Sequence, residues 1–185
     1  MIRPATVKDA AAIAAIWNPV IRDTTYSFHS GEKSPGDVAQ QIAARHDDGF
    51  GFWVAEIATQ SATEGSQNSR SEQSVEHGGE SRGAIVGFAS YAQFRAGNGY
   101  AHAFEHTIVL APQARGLRLG RALMDELEAH ARARGGHTMN AGVSAENTAG
   151  LRFHAALGYE LVAVVPQVGH KFGRWLDLHI MQKFL

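Results

Sequence analysis

The chain has 185 residues, 44% hydrophobic and 19% charged, with a net charge of −1. It is long enough for one domain with a sizeable core, and its neutral balance offers no global field to nucleic acid or anionic lipid. With no cysteine, disulfides, thiolate metal sites and a cysteine nucleophile drop out together. The opening MIRPATVKDA lacks the apolar core of a signal peptide. No apolar run is long enough to span a membrane, so the expected location is the cytoplasm.

Ile2 to Ala5 is short and extended. Thr6-Val7-Lys8-Asp9 has capping-box spacing, and the following AAAIAAIW sets Ile13, Ile16 and Trp17 on one face. That predicts a helix to about Ile21. Ser34-Pro35-Gly36-Asp37 repeats the start signal with proline at the first helical position, predicting a second helix to about Arg45. Phe52 to Ile57 reads as a strand. Residues 58–82 are rich in Ser, Gln, Glu, Gly and Asn, with Val75 the only large apolar residue. Such a stretch buries too little surface to offset its ordering entropy, so a disordered hairpin-loop insertion is expected within a single domain spanning 1–185.

Ala84 to Tyr91 and Phe104 to Leu110 read as strands, the second carrying β-branched Thr107, Ile108 and Val109. Leu119 to Arg134 is helical, with Leu119, Leu123, Leu127 and Ala131 at four-residue spacing and Gly135-Gly136 as the stop. Met139 to Val143 is a strand and Asn147 to Leu157 a helix, terminated by Gly158. Tyr159 to Val165 and Trp175 to Met181 complete the set. Helices alternating with strands in this way predict an α/β (α+β) sheet with helices on its faces.

The most informative stretch is TIVLAPQARGLRLGRAL, Thr107 to Leu123. A strand, a tight turn with Arg115, Gly116 and Gly120, and an immediate helix point several backbone N–H groups into one concavity beside the positive end of the helix dipole. That is a device for holding a pyrophosphate, and Arg115, Arg118 and Arg121 add charge to it. A strand–helix connection with a solvated basic edge is the alternative reading of the same residues.

The six residues Arg115-Gly116-Leu117-Arg118-Leu119-Gly120 resemble the R/Q-x-x-G-x-G/A acetyl-CoA signature of the GNAT superfamily. Arg118 stands where that family usually has glycine. Backbone donors survive this departure if residue 118 keeps ordinary helical dihedrals. AENTAGLRFHAALGY, VGHKFGRWLDLHIMQ, IRPATVKDAAAIAAIWNPVIRDTTYSF and AGNGYAHAFEHTIVL look like the phosphinothricin/methionine sulfoximine acetyltransferase branch. The resemblance covers nearly the whole chain outside 58–82.

It implies a GNAT acyl-CoA N-acyltransferase fold, a mixed twisted central sheet with helices on both faces and central strands splayed to admit the pantetheine. It implies acetyl transfer from acetyl-CoA, as co-substrate and with no metal, to the amine of a small amino-acid-like molecule in a ternary complex. Cofactor contacts are then expected at Thr107, Ile108, Val109, Arg115, Gly116, Leu117, Arg118, Leu119, Gly120, Arg121 and Asn147, although Asn147 also reads as a helix cap. Such a reaction needs a base for the ammonium and a proton for the departing sulfur. By the resemblance these are Glu105 and His154, with His154 either pairing with Glu105 or protonating the sulfur. Arg95, Phe28, Tyr100 and Lys171 are the expected substrate residues, and Lys171 and Trp175 line either the site or a dimer interface. A homodimer is implied as well; nucleic acid and membrane are not expected partners.

Three rivals have handles in the sequence. His102-Ala103-Phe104-Glu105-His106 fits the inverted zinc-peptidase spacing, which requires a helix so that both imidazoles converge on one metal. A CoA-binding regulatory domain would keep the glycine turn without the base. Within the enzyme class, a peptide or protein N-terminus or an aminoglycoside is the competing acceptor.

Overall fold

The computed structural model describes residues 1–58 and 83–185; residues 59–82, most of the segment expected to be a disordered loop, lie outside the described residues. Among the described residues, seven strands form one mixed sheet: β1 (Ile2–Pro4), β2 (Phe52–Ile57), β3 (Ala84–Gln93), β4 (Ala103–Leu110), β5 (Thr138–Ser144), β6 (Glu160–Lys171) and β7 (Arg174–Phe184). Their spatial order is β1-β2-β3-β4-β5-β7-β6. Four α-helices accompany them, α1 (Ala10–Asp23), α2 (Pro35–Asp47), α3 (Leu119–Ala133) and α4 (Thr148–Ala156).

The start and stop signals act locally. Ser34 Oγ accepts from the Asp37 N–H at 3.1 Å while the Asp37 carboxylate accepts from the Ser34 N–H at 2.8 Å, a reciprocal cap for α2. At the end of α3, Gly135 (φ 76°) donates to Arg132 O and Gly136 to Ala131 O, both at 2.9 Å. That pair of bonds is a Schellman stop. The helices then bury their apolar faces on opposite sides of the sheet. Ile13, Trp17 and Ile21 of α1 and Val38 and Ile42 of α2 pack on Phe52, Val54 and Phe88. Leu123, Met124, Leu127 and Ala131 of α3 pack on Tyr91, Phe104, Met139 and Ala141.

β6 is longer than its sequence suggests. The strand is expected to end at Val165, yet residues 166–168 form a bulge between Val165 and Gly169, and pairing with β7 resumes at Gly169 and runs to Lys171. Gln167 (φ 52°) donates its N–H to Asp177 Oδ1 at 2.8 Å, which satisfies the group the bulge removes from the ladder. The hairpin closes through Phe172 (φ 51°) and Gly173 (φ 73°), both in the left-handed region that a two-residue type I′ turn requires.

The site is positioned by one irregularity. β4 and β5 are parallel and pair only through Ala103–Glu105 and Thr138–Asn140. Past that point the two strands stop bonding to each other, and a cavity occupies the gap.

Candidate active site

The cavity measures about 710 Å³ and is walled by Thr107, Ile108 and Val109 of β4, by Ala141 to Ser144, and by Asn147 and His154 of α4. The segment Tyr26–His29, with Trp17 and Leu178, closes the remaining side. Glu105 sits where the β4–β5 pairing ends and is half-buried. Burial raises its carboxyl above the usual carboxylate range, and the nearby positive charge of Arg95 partly opposes the rise. Gly142 on β5 makes room for it: a Cβ there would stand 3.2 Å from Glu105 Oε1.

Side chains alternate along β4, so His106 points to the face opposite Glu105. His106 Nε2 lies 3.0 Å from His154 Nε2, and His154 Nδ1 lies 2.7 Å from the Gly150 carbonyl. A carbonyl only accepts, so Nδ1 of His154 carries the hydrogen and its Nε2 is a lone pair. His106 Nε2–H must then donate to that lone pair, and His106 Nδ1 has no hydrogen-bond partner among the described residues. Both rings are buried, which favours their neutral forms, and burial lowers the His106 value to about 3. The arrangement joins β4 to α4 directly. It takes the place of the expected pairing of His154 with Glu105, because His154 Nε2 is occupied by His106, whose side chain lies on the face of β4 opposite Glu105.

A second concavity, about 270 Å³, lies at the start of α3, lined by Arg115, Gly116, Arg118, Leu119, Gly120, Arg121 and Phe153. The first intrahelical bond of α3 runs from Ala122 N–H to Arg118 O. The N–H groups of Leu119, Gly120 and Arg121 thus have no partner within the helix. Gly120 lets β4 and α4 close on the helix, since a Cβ there would lie 2.8 Å from Leu110 Cδ1 and 3.0 Å from Phe153 Cε2. Three free donors, three arginines and a helix N-terminus fit the diphosphate of a coenzyme A. Leu117 is 52% exposed and does not line this concavity, while Asn147 caps α4 by accepting from the Gly150 N–H at 2.8 Å.

The Acetyltransferase (GNAT) family profile matches residues 20–159. The chain belongs to the GNAT acetyltransferase family. An L-methionine sulfoximine/L-methionine sulfone acetyltransferase of Pseudomonas aeruginosa is 34% identical over 98% of this chain and 92% of its own. The L-amino acid N-acyltransferase MnaT of Escherichia coli K12 is 44% identical over 56% of this chain, and the match spans 60% of that enzyme's length. Among solved structures, yncA of Salmonella typhimurium with its cofactor acetyl-CoA superimposes with a TM-score of 0.82, at 32% identity, covering all of this chain and 93% of that one.

Within this GNAT chain, residue 118 departs from the helical dihedrals required of it. Arg118 is left-handed, at φ 56° and ψ 12°, immediately before α3. The turn itself demands that conformation, which gives a physical reason for glycine in the family signature at this position. The His102–Glu105–His106 spacing falls on β4 and its preceding residue, not on a helix, so its side chains diverge.

The structure divides the expected substrate residues. Phe28 lines the cavity. Arg95 and Tyr100 sit on the exposed turn after β3, outside the lining, with the Arg95 guanidinium 4.4 Å over the Phe94 ring. Lys171 is buried away from the cavity and donates to the carbonyls of Ile21 and Ser27. Trp17, Gly142 and Leu178 were not singled out from sequence. Helical periodicity marks Trp17 only as core, and strand alternation marks Leu178 only as apolar.

Proposed function

We propose that this GNAT chain is an acetyl-CoA-dependent N-acetyltransferase acting on the amino group of a small amino-acid-like substrate, of the methionine sulfoximine, methionine sulfone or phosphinothricin type. The observation that carries the reading is Glu105, a carboxylate of raised proton affinity, in a cavity continuous with the β4–β5 gap and neighbouring the α3 cradle. The relatives' names point to the same substrate class.

Arg115, Arg118, Arg121 and the free N–H groups of α3 hold the diphosphate, and backbone groups of Thr107 to Val109 meet the pantetheine arm as an added strand would. Acetyl-CoA, when bound, supplies an activated acetyl group. Glu105 takes a proton from the substrate ammonium, freeing the nitrogen lone pair for direct attack in a ternary complex without an acyl-enzyme. His154, with its one N–H given to Gly150, stands in the wall as a neutral imidazole, so the proton for the sulfur comes from the attacking nitrogen. Arg95 supplies positive charge near Glu105 from the turn outside the cavity.

Self-association of two copies belongs to the same reading. β6 exposes Leu161, Val162, Val164 and Val168, and Trp175 beside it on β7 is 62% exposed, a patch suited to an interface. A cytoplasmic location is consistent with the absence of cysteine. Steady-state acetylation of methionine sulfone, sulfoximine and phosphinothricin tests the proposal; no turnover with any of them overturns it.

A further inference from the structure

We infer that Lys171 is a positioning residue for the acceptor side of the cavity, fastening the segment Thr24–His29 to the β6–β7 hairpin without touching substrate. The inference rests on the acetyltransferase reading above. Tyr26, Ser27, Phe28 and His29 form one wall of the cavity, yet they belong to a segment between α1 and α2 with no strand or helix of its own. Its placement must come from side chains.

Three anchors supply it, two directly on the β6–β7 hairpin and one through Glu146, which lies between β5 and α4 and is tied to the hairpin by Arg174. Lys171 is 6% exposed, and its ammonium donates to the Ile21 carbonyl in the last turn of α1 and to the Ser27 carbonyl at 2.7 Å. A cation at that helix end is also favoured by the helix dipole. Thr25 Oγ1 donates to Glu146 Oε2 at 2.7 Å, and Glu146 is held by the paired nitrogens of Arg174. The Phe28 ring rests on Gly169, where a Cβ would come within 2.5 Å of Phe28 Cδ2. Gly169, Lys171 and Arg174 therefore set the wall that faces the acceptor. None of them borders the cradle at α3.

The test compares Lys171→Met with the parent chain on methionine sulfone and on 3-(methylsulfonyl)propylamine, the same molecule without its carboxylate. Loss of the two anchoring bonds is expected to raise KM for both amines by the same factor, about threefold to tenfold. The acetyl-CoA Kd should stay within about twofold, since the cradle is untouched. Hydrogen exchange across residues 24–29 should rise in parallel. Thr25→Val, which cuts a separate anchor, is expected to shift KM and exchange in the same direction and decides the matter if Lys171→Met does not fold. A penalty confined to the carboxylate-bearing amine would show direct substrate contact and overturn the proposal, as would unchanged exchange in 24–29. If the parent chain acetylates neither amine, the acetyltransferase reading falls, while the exchange measurement still decides the fastening.

Discussion

His106→Gln isolates the stability held in the buried imidazole pair. In the native chain burial keeps His106 neutral down to a value of about 3, whereas the unfolded chain takes up a proton near the ordinary value of 6.5. A group whose native value is depressed contributes its full stability above the unfolded value and loses it as pH falls. Lowering the pH from about 7.5 to about 5 spans roughly 1.5 units below the unfolded value, and each unit is worth about 1.36 kcal/mol. This one residue should therefore remove about 2 kcal/mol of stability over that range, a fall of about 4–8 °C in Tm for a chain of this size. Glutamine does not titrate, and its amide can still donate to His154 Nε2. The assay is chemical or thermal unfolding of both chains at the two pH values, with the difference between the slopes as the readout. All other titrating groups are shared, so the variant should show the shallower loss by about that amount. Parallel pH profiles would refute the buried, neutral His106.

Other perturbations follow from the same geometry. Glu105→Gln should lower kcat by about 10²–10⁴ and leave the acetyl-CoA Kd nearly unchanged, as removal of a general base requires. In the parent chain the acidic limb of kcat/KM should fall as Glu105 protonates, above the usual carboxylate range, and the variant should lose that limb. Arg118→Gly relieves about 1 kcal/mol of left-handed strain, offset in part by the greater chain entropy of glycine. Melting should thus show a small gain while titration calorimetry shows weaker acetyl-CoA binding; losses in both would contradict the strained-turn account. Gly120→Ala drives a methyl against Leu110 and Phe153 and should cost about 1–3 kcal/mol in denaturant unfolding. A neutral result would mean that α3 does not pack as described.

Much of this was legible because it is local. Ser34 with Asp37, and Gly135 with Gly136, carry their caps within a few residues, and the structure uses those very groups. The bulge in β6 was not legible, since the acceptor that lets the strand continue past Val165 is Asp177 on the neighbouring strand. Glu105 is marked by its place in a family motif, but its elevated proton affinity arises from burial that no local pattern records. Lys171 shows the limit most clearly. Its motif flags importance, yet the ammonium is turned toward carbonyls 150 and 144 residues away in the chain. The His106–His154 bond likewise needs the register of α4 over β4, which is a tertiary fact.

The most direct test of the central claim is release of CoA from acetyl-CoA, followed with a thiol reagent, against methionine sulfoximine, methionine sulfone, phosphinothricin and a peptide amine. The account predicts turnover with the small amino-acid-like amines and none with the peptide. Turnover of the peptide alone would contradict it, as would tight acetyl-CoA binding with no acetylation of any small amine.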